Sequence, residues 1–451
     1  MYQKFIKAIT WNSISVFLYK SILLLHQIIL FHFIPKALYG TSGTIFSSIY
    51  LLIGISTLGF DYALFALFSK YIQSKRTFRD LVVQYFIRLI ITISIALIMA
   101  TLLYSNMQIP ILSFFQKSVP HALIPIVLTI FVTESMRKSI ETAAQLLFLN
   151  QAIACIQVSM ILLYITMVWT SYFALGFISL YTIFIPMLII STFETMLTSV
   201  IIYKVYKKLP EQIPNVHPVT HKPAFIQEQI FNYVNQTAKN LFSPNFLMVF
   251  VAYNLGMSQA GYIRFFTNII TLLYMLLTRS VGIPTGALFS KLLSTPLSAT
   301  KSSFIRITNT YIQVLYFLAI TIIVTMMPYL RHHAMTPHIL LFIAVGFVEY
   351  ITITYEKLFV VQKRSKTLAI INGISICLLF LYLYNKENIP LFIIILPILL
   401  IRIASAIYIG QYAFKLWKVA PTLTIKKRTM LLSLISTTTI SLIIKISHLY
   451  Y

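Results

Sequence analysis

Apolar runs of about 20 residues follow one another along nearly the whole chain, broken by short polar stretches. Each run is long enough to cross a bilayer core of about 30 Å as a helix. Thirteen spans are predicted, near 7–34, 42–70, 81–105, 119–148, 151–173, 176–204, 225–253, 262–290, 302–329, 337–362, 367–385, 390–416 and 429–450. The longest break, VYKKLPEQIPNVHPVTHKPA at 205–224, is rich in Pro and His and lies close to the midpoint of the 451 residues. The pattern predicts an all-α polytopic membrane protein of two pseudo-symmetric six-helix lobes, with an extra helix at the end. The first lobe takes 1–206, a cytoplasmic linker 207–224, the second lobe 225–417 and the thirteenth helix, read as crossing the membrane, 418–451.

Composition narrows the class further. Hydrophobic residues make up 59% of the chain and charged residues 10%, against about 25% charged in ordinary soluble domains. The net charge of +25 does not point to nucleic acid, because no soluble stretch is long enough to form a binding domain. It points to orientation. The N-terminus and the even-numbered loops hold twenty Lys and Arg, and the odd-numbered loops only Lys36, Lys117, Arg331 and Lys386. That asymmetry places the N-terminus in the cytoplasm. The opening MYQKFIKAITWNSISVFLYKSILLL lacks a small-residue cleavage site and carries Lys20 inside its apolar run, so it reads as a retained first span. Cys155 and Cys377 both fall in spans and suggest neither a disulfide framework nor a metal cluster.

The chain also repeats itself. ALFSK occurs at 66–70 and again at 287–291, an offset of 221. Sliding the second half over the first by that offset also pairs Gly40 with Gly261, Ile49 with Ile270, Leu51 and Leu52 with Leu272 and Leu273, and Thr57 with Thr278. Span four carries Glu134 and Glu141 in FVTESMRKSIE, and span ten carries Glu349 and Glu356 in FVEYITITYE. Six spans is an even number, so both halves enter the bilayer in the same direction. Transporters built from parallel repeats place their substrate between the lobes near the midplane.

Charges within spans are the candidate chemistry. Arg88, Arg264, Arg306 and Lys445 lie near span ends and are expected to snorkel. Lys20, Lys239, Arg279 and Arg402 are central, where a lipid-facing charge costs about 2.5–3.5 kcal/mol. They are the candidate anion-binding residues, and Arg279 could hold two phosphate oxygens at once. In span four, Glu134 with Lys138 and Arg137 with Glu141 stand four apart, which marks a self-neutralising structural cluster. Asp61, Glu194 and Glu349 have no basic neighbour at helical spacing, and are candidates for pairing across helices or for binding H⁺ or Na⁺. His332, His333 and His338 in an outer loop read as solvated, with no ligand-like spacing around them. No P-loop is present and no cofactor is expected.

IPKALYGTSG at 34–43, followed by a second span ending LGFDYALFALFSKYIQ at 58–73, resembles the polysaccharide-transporter branch of the multidrug/oligosaccharidyl-lipid/polysaccharide (MOP) exporter superfamily, the O-antigen flippase type. The resemblance implies two six-helix lobes with a cationic cavity between them. It implies a lipid-linked anionic glycan as substrate, an oligosaccharide on undecaprenyl pyrophosphate flipped across the bacterial inner membrane with H⁺ or Na⁺ as coupling ion. A monomer surrounded by membrane lipid, with no nucleic-acid partner, is expected. The lipid II flippase branch stays open as an alternative. A drug or metabolite antiporter of the same superfamily is the first rival, disfavoured by the basic excess. A membrane enzyme is disfavoured because no loop exceeds about twenty residues.

Overall fold

The computed structural model describes residues 2–60, 74–105, 119–147, 149–211, 223–261, 263–265, 268, 359, 364–383 and 391–417. Among them are ten α-helices, one short 3-10 turn at His121–Leu123 and no strand. The first half contributes α1 (Tyr2–Phe33), α2 (Lys36–Ser56), α3 (Lys75–Tyr104), α4 (Ile124–Leu146), α5 (Asn150–Leu175) and α6 (Leu180–Lys207). The second contributes α7 (Pro223–Leu241), α8 (Pro244–Leu255), α9 (Ser365–Leu383) and α10 (Leu391–Trp417). Helices α2, α3, α5, α6 and most of α9 are long and apolar enough to cross a membrane, and the chain is a multi-pass membrane protein.

Local chemistry sets most helix ends. Ser74 opens α3 and Ser179 opens α6, each through a capping box with the threonine three residues on. Gly176 closes α5 in the left-handed conformation, φ 76°. Within the predicted span 42–70, α2 closes at Ser56, Leu58 (φ 47°) and Gly59 (φ 73°) turn the backbone left-handed, and Phe60 is helical again; residues 61–70 lie outside the described residues. The predicted single span 225–253 is two helices. Pro244 disfavours a helical conformation at the preceding residue, and Ser243 is extended, with φ −81° and ψ 158°. The expected spans 302–329 and 429–450, almost all of 337–362 and both ALFSK segments lie outside the described residues.

The bundle has an apolar outside and a mixed interior. Phe86, Ile90 and Leu97 on α3 are exposed, while Ser47, Thr92, Ser135, Asn232, Asn372 and Arg402 are buried. Lipid accepts the apolar faces, and polar groups must find partners inside. In the first half, α4 packs on α2, α3 and α6, and α5 packs on α1 and α6. Tyr39, Ile49, Ile53, Phe131 and Phe184 form its apolar core. In the second half, α7 packs on α9 and α9 on α10.

The halves meet along α2, which packs against α7 and α8. Their contact has a two-fold pattern. A Cβ on Gly40 would strike the carbonyl oxygen of Met257 and stand 2.8 Å from the amide of Gly261. A Cβ on Gly261 would strike the carbonyl oxygen of Lys36 and stand 3.4 Å from the amide of Gly40. Each glycine thus faces the carbonyl four residues before the other. The pair that the offset of 221 aligns is the pair that touches. Small residues permit such close backbone approach in membranes.

Gly40→Val and Gly261→Val are therefore expected to destabilise the protein by similar amounts, about 1–3 kcal/mol or more, as overpacking of a tight contact does. Thermal unfolding of each purified variant in detergent checks this. A variant as stable as the parent would contradict the crossing.

Candidate functional site

A cavity of about 210 Å³ lies within the first-half bundle, closed on one side by the second half. Tyr19 and Gln27 reach it from α1, Ser47 and Tyr50 from α2, Glu134 and Arg137 from α4, Tyr164 from α5, and Ser191 and Glu194 from α6. Asn245, Arg264 and Asn268 complete it from the second half. Its walls carry two guanidinium groups and two carboxyl groups.

Arg137 is the hub. Its Nε and Nη2 donate to the two carboxylate oxygens of Glu134, at 2.9 and 2.7 Å. Its Nη1 donates to Glu194 at 3.0 Å and to Glu141 at 3.4 Å. Glu141 is in turn held by Gln145 Nε2 at 2.9 Å. The first pair is the two-pronged geometry that only arginine offers. Helical spacing of three and four residues brings Glu134 and Glu141 to Arg137 on α4, and the packing of α6 on α4 delivers Glu194. One guanidinium thus meets three buried carboxyl groups.

Arg264 crosses from the second half. Its Nη1 donates to the Tyr39 carbonyl at 2.5 Å and to the Ser42 hydroxyl, and its guanidinium lies 4.3 Å from the Tyr39 ring centre. Gly43 makes room, because a Cβ there would collide with the Arg264 side chain. Asn268 Nδ2 donates to the Tyr39 hydroxyl at 3.2 Å. Beside the cavity, buried His26 accepts from Trp169 Nε1 at 3.3 Å.

Likeness to solved structures places this bundle. No protein-family model matches the sequence and no curated protein matches it. Solved structures do match. An outward-facing multidrug-resistance MATE transporter of the MOP superfamily superposes with a TM-score of 0.62 at 11% identity, covering 91% of this chain and 96% of that one. A MATE protein in the straight conformation gives 0.60 at 10% identity, covering 92% and 96%. The chain has the MATE fold. It shares the two-lobe helical architecture of those transporters. A MOP superfamily transporter from Pyrococcus furiosus, described as having a binding pocket of reverse polarity that suggests a different function, matches with a TM-score of 0.52 at 12% identity, covering 91% and 96%.

Within this MATE fold the sequence-predicted residues take different places. Glu134, Arg137, Glu141 and Glu194 come together, with Lys138 half-buried next to them. The spacing pairs Glu134 with Lys138, whereas the structure gives Glu134 a two-pronged contact with Arg137. Glu194 pairs across helices. Lys20 lies in α1 next to Tyr19, a cavity residue. Lys239 is half-buried on α7. Arg402 is buried in the second half, with Nη1 donating to Asn372 at 3.2 Å and its guanidinium 4.9 Å from the Phe242 ring. Asn372 donates on to Asn235 at 2.9 Å, so this network ties α7, α9 and α10 together. Neither Lys239 nor Arg402 lines the first-half cavity. Asp61, Arg279 and Glu349 lie outside the described residues, as do Arg306 and Lys445.

Two expectations need correction. Arg264 and Arg88 do not snorkel. Arg264 is only 7% exposed inside the cavity wall, and Arg88 is 3% exposed and donates to Ser139 across α3 and α4. Position along a span indicates depth, but the facing helix decides whether a long side chain reaches water or a neighbour. Arg264 is the cavity residue that spacing missed. Its signal was its place three residues after Gly261 in the repeat.

Removing Arg137 strands its carboxylates. Arg137→Met is expected to cost about 3–5 kcal/mol, as loss of one partner of a buried ion pair does. Glu194→Gln, which keeps a hydrogen-bond acceptor for Nη1, is expected to cost about 1 kcal/mol. Denaturant or thermal unfolding of the two variants compares them directly, and equal losses would contradict the hub.

Proposed function

We propose that the protein is an ion-coupled alternating-access transporter whose cargo is an anionic lipid-linked glycan, an oligosaccharide on undecaprenyl pyrophosphate, moved across the bacterial inner membrane. The observation that carries this reading is Arg264: a second-half guanidinium lining the first-half cavity that Arg137 also lines. Separating or rejoining the lobes changes what these two cations face. Guanidinium groups suit phosphate oxygens in charge and in two-pronged geometry.

At about 210 Å³, the cavity is smaller than the roughly 300–1,000 Å³ of a site for a drug-sized ligand. In this conformation it suits water, an ion or part of a head group. The glycan and the prenyl chain require the lobes to part. Lys20, Lys239, Arg279 and Arg402 remain proposed contributors to the path of the head group, and Asp61 and Glu349 proposed contributors to ion coupling.

Glu194 is the proposed coupling group among the described residues. Ionised, it occupies Nη1 of Arg137. A proton or Na⁺ at Glu194 cancels its negative charge beside Arg137 and weakens that contact, so ion and anionic cargo favour each other's binding, reciprocally. A pyrophosphate carries more than one negative charge and stays anionic with one proton aboard. A membrane potential positive outside then favours outward movement, by about 2.3 kcal/mol per net charge per 100 mV.

The second reading is a drug or metabolite antiporter. Three carboxyl groups around one guanidinium favour it, and so does the multidrug transporter among the structural matches. The two readings predict opposite pH dependence. Binding of a soluble pyrophosphoryl-glycan analogue should tighten as pH falls, by about 5- to 150-fold, the usual range of such coupling, and Glu194→Gln should hold the tight state at every pH. An organic cation competing with the proton should weaken instead. In liposomes carrying a fluorescent undecaprenyl-pyrophosphate oligosaccharide, an impermeant quencher reads the leaflet. Arg264→Gln should slow flipping about tenfold or more, the effect of losing one charge-assisted contact. If no lipid flips while a small cation is exchanged, the antiporter reading replaces this one.

A further inference from the structure

A second concavity lies on another face of α4 from the charged cavity. It is about 710 Å³ and runs between α3, α4 and α6, a volume within the range of ligand sites. Val83 and Phe86 of α3, Ile140 and Ala143 of α4, and Ile202 and Tyr203 of α6 give it apolar walls. It shares no lining residue with the charged cavity.

One end of the groove is built differently. Arg79 Nε donates to the Tyr206 hydroxyl at 3.3 Å, tying the start of α3 to the end of α6. Lys207 Nζ stands 5.0 Å from the Tyr203 ring centre. Arg76, Lys204 and Lys208 are exposed at the same end, and none of the three forms an ion pair among the described residues. Of the nearby carboxylates, Glu211 is engaged by Lys75 at 2.6 Å and Asp80 is half-buried. The groove is therefore apolar along its length and cationic at its mouth.

We propose that this groove binds one anionic phospholipid, its acyl chain lying between α3 and α6 and its phosphate at Arg79 and Lys207. The mouth lies beside the 205–224 linker, which is the cytoplasmic leaflet by the basic asymmetry of the loops. Basic clusters at that level recognise anionic head groups, and an exposed aromatic wall accepts the chain. The site is independent of the cargo. Because α4 presents Glu134 and Arg137 to the cavity and Met136 and Ile140 to the groove, an occupant packs against the helix that carries the charge hub.

The test uses the full chain in mild detergent with defined lipids. Native mass spectrometry should show phosphatidylglycerol retained over phosphatidylethanolamine by about tenfold or more, the effect of two basic side chains. The double variant Arg79→Gln, Lys207→Gln should lower phosphatidylglycerol to the phosphatidylethanolamine level. Val83→Trp should remove both lipids, and millimolar glycerol phosphate should displace neither. Because the variants could disturb folding, the unaltered protein is also photolysed with phosphatidylglycerol carrying a diazirine on its acyl chain. Adducts should fall within 78–89 and 199–206. Equal retention of the two lipids, displacement by glycerol phosphate, adducts elsewhere, or cross-linking of a cysteine placed at position 83 to residues 429–450 would each overturn the proposal.

Discussion

A single guanidinium organises the interior of the first half. Arg137 binds Glu134 with two prongs and reaches Glu141 and Glu194 from its third nitrogen, Nη1. In hydrocarbon, every one of these groups would be costly alone. Together they tie α4 to α6 and place three carboxyl groups around one positive charge.

The second constraint is backbone proximity between the halves. Gly40 and Gly261 occupy equivalent positions in the repeat and face each other across the crossing of α2 with the segment after α8. No side chain larger than hydrogen fits there. The same crossing carries Arg264 over to the first half, three residues beyond Gly261, where Gly43 leaves it space. Duplication thus does more than double the fold. It creates a contact whose two sides are the same motif, and that contact delivers a cation from one half into the cavity of the other.

The second half uses polar groups differently. Arg402, Asn372 and Asn235 form a connected chain among α7, α9 and α10, and Ser375 and Ser405 add a hydroxyl contact at 2.7 Å between α9 and α10. Sequence position makes Lys239 and Arg402 candidates for a cavity and Arg137 a member of a structural cluster, whereas it is Arg137 that lines the first-half cavity. The difference is the neighbour. Arg402 faces amides and an aromatic ring and links helices, whereas Arg137 faces carboxyl groups and a cavity.

Length and polarity along the chain were enough to establish a helical membrane protein with related halves, because a bilayer admits few backbone solutions and repeats leave residues behind. The same reading located the Glu134–Glu141 cluster, since three- and four-residue spacing puts those side chains on one face. It marked Glu194 for a partner on another helix without naming Arg137. It missed the break at Ser243, where one proline outweighs a long apolar run, and it misplaced Arg88 and Arg264 as snorkelling side chains. Which helix faces which is decided by side-chain packing between elements far apart in the chain, and periodicity within one helix carries no record of it. The chain determined its membrane class and its repeat by local composition; only the tertiary structure decided that Glu194 meets Arg137, and that Arg264 belongs to the cavity of the other half.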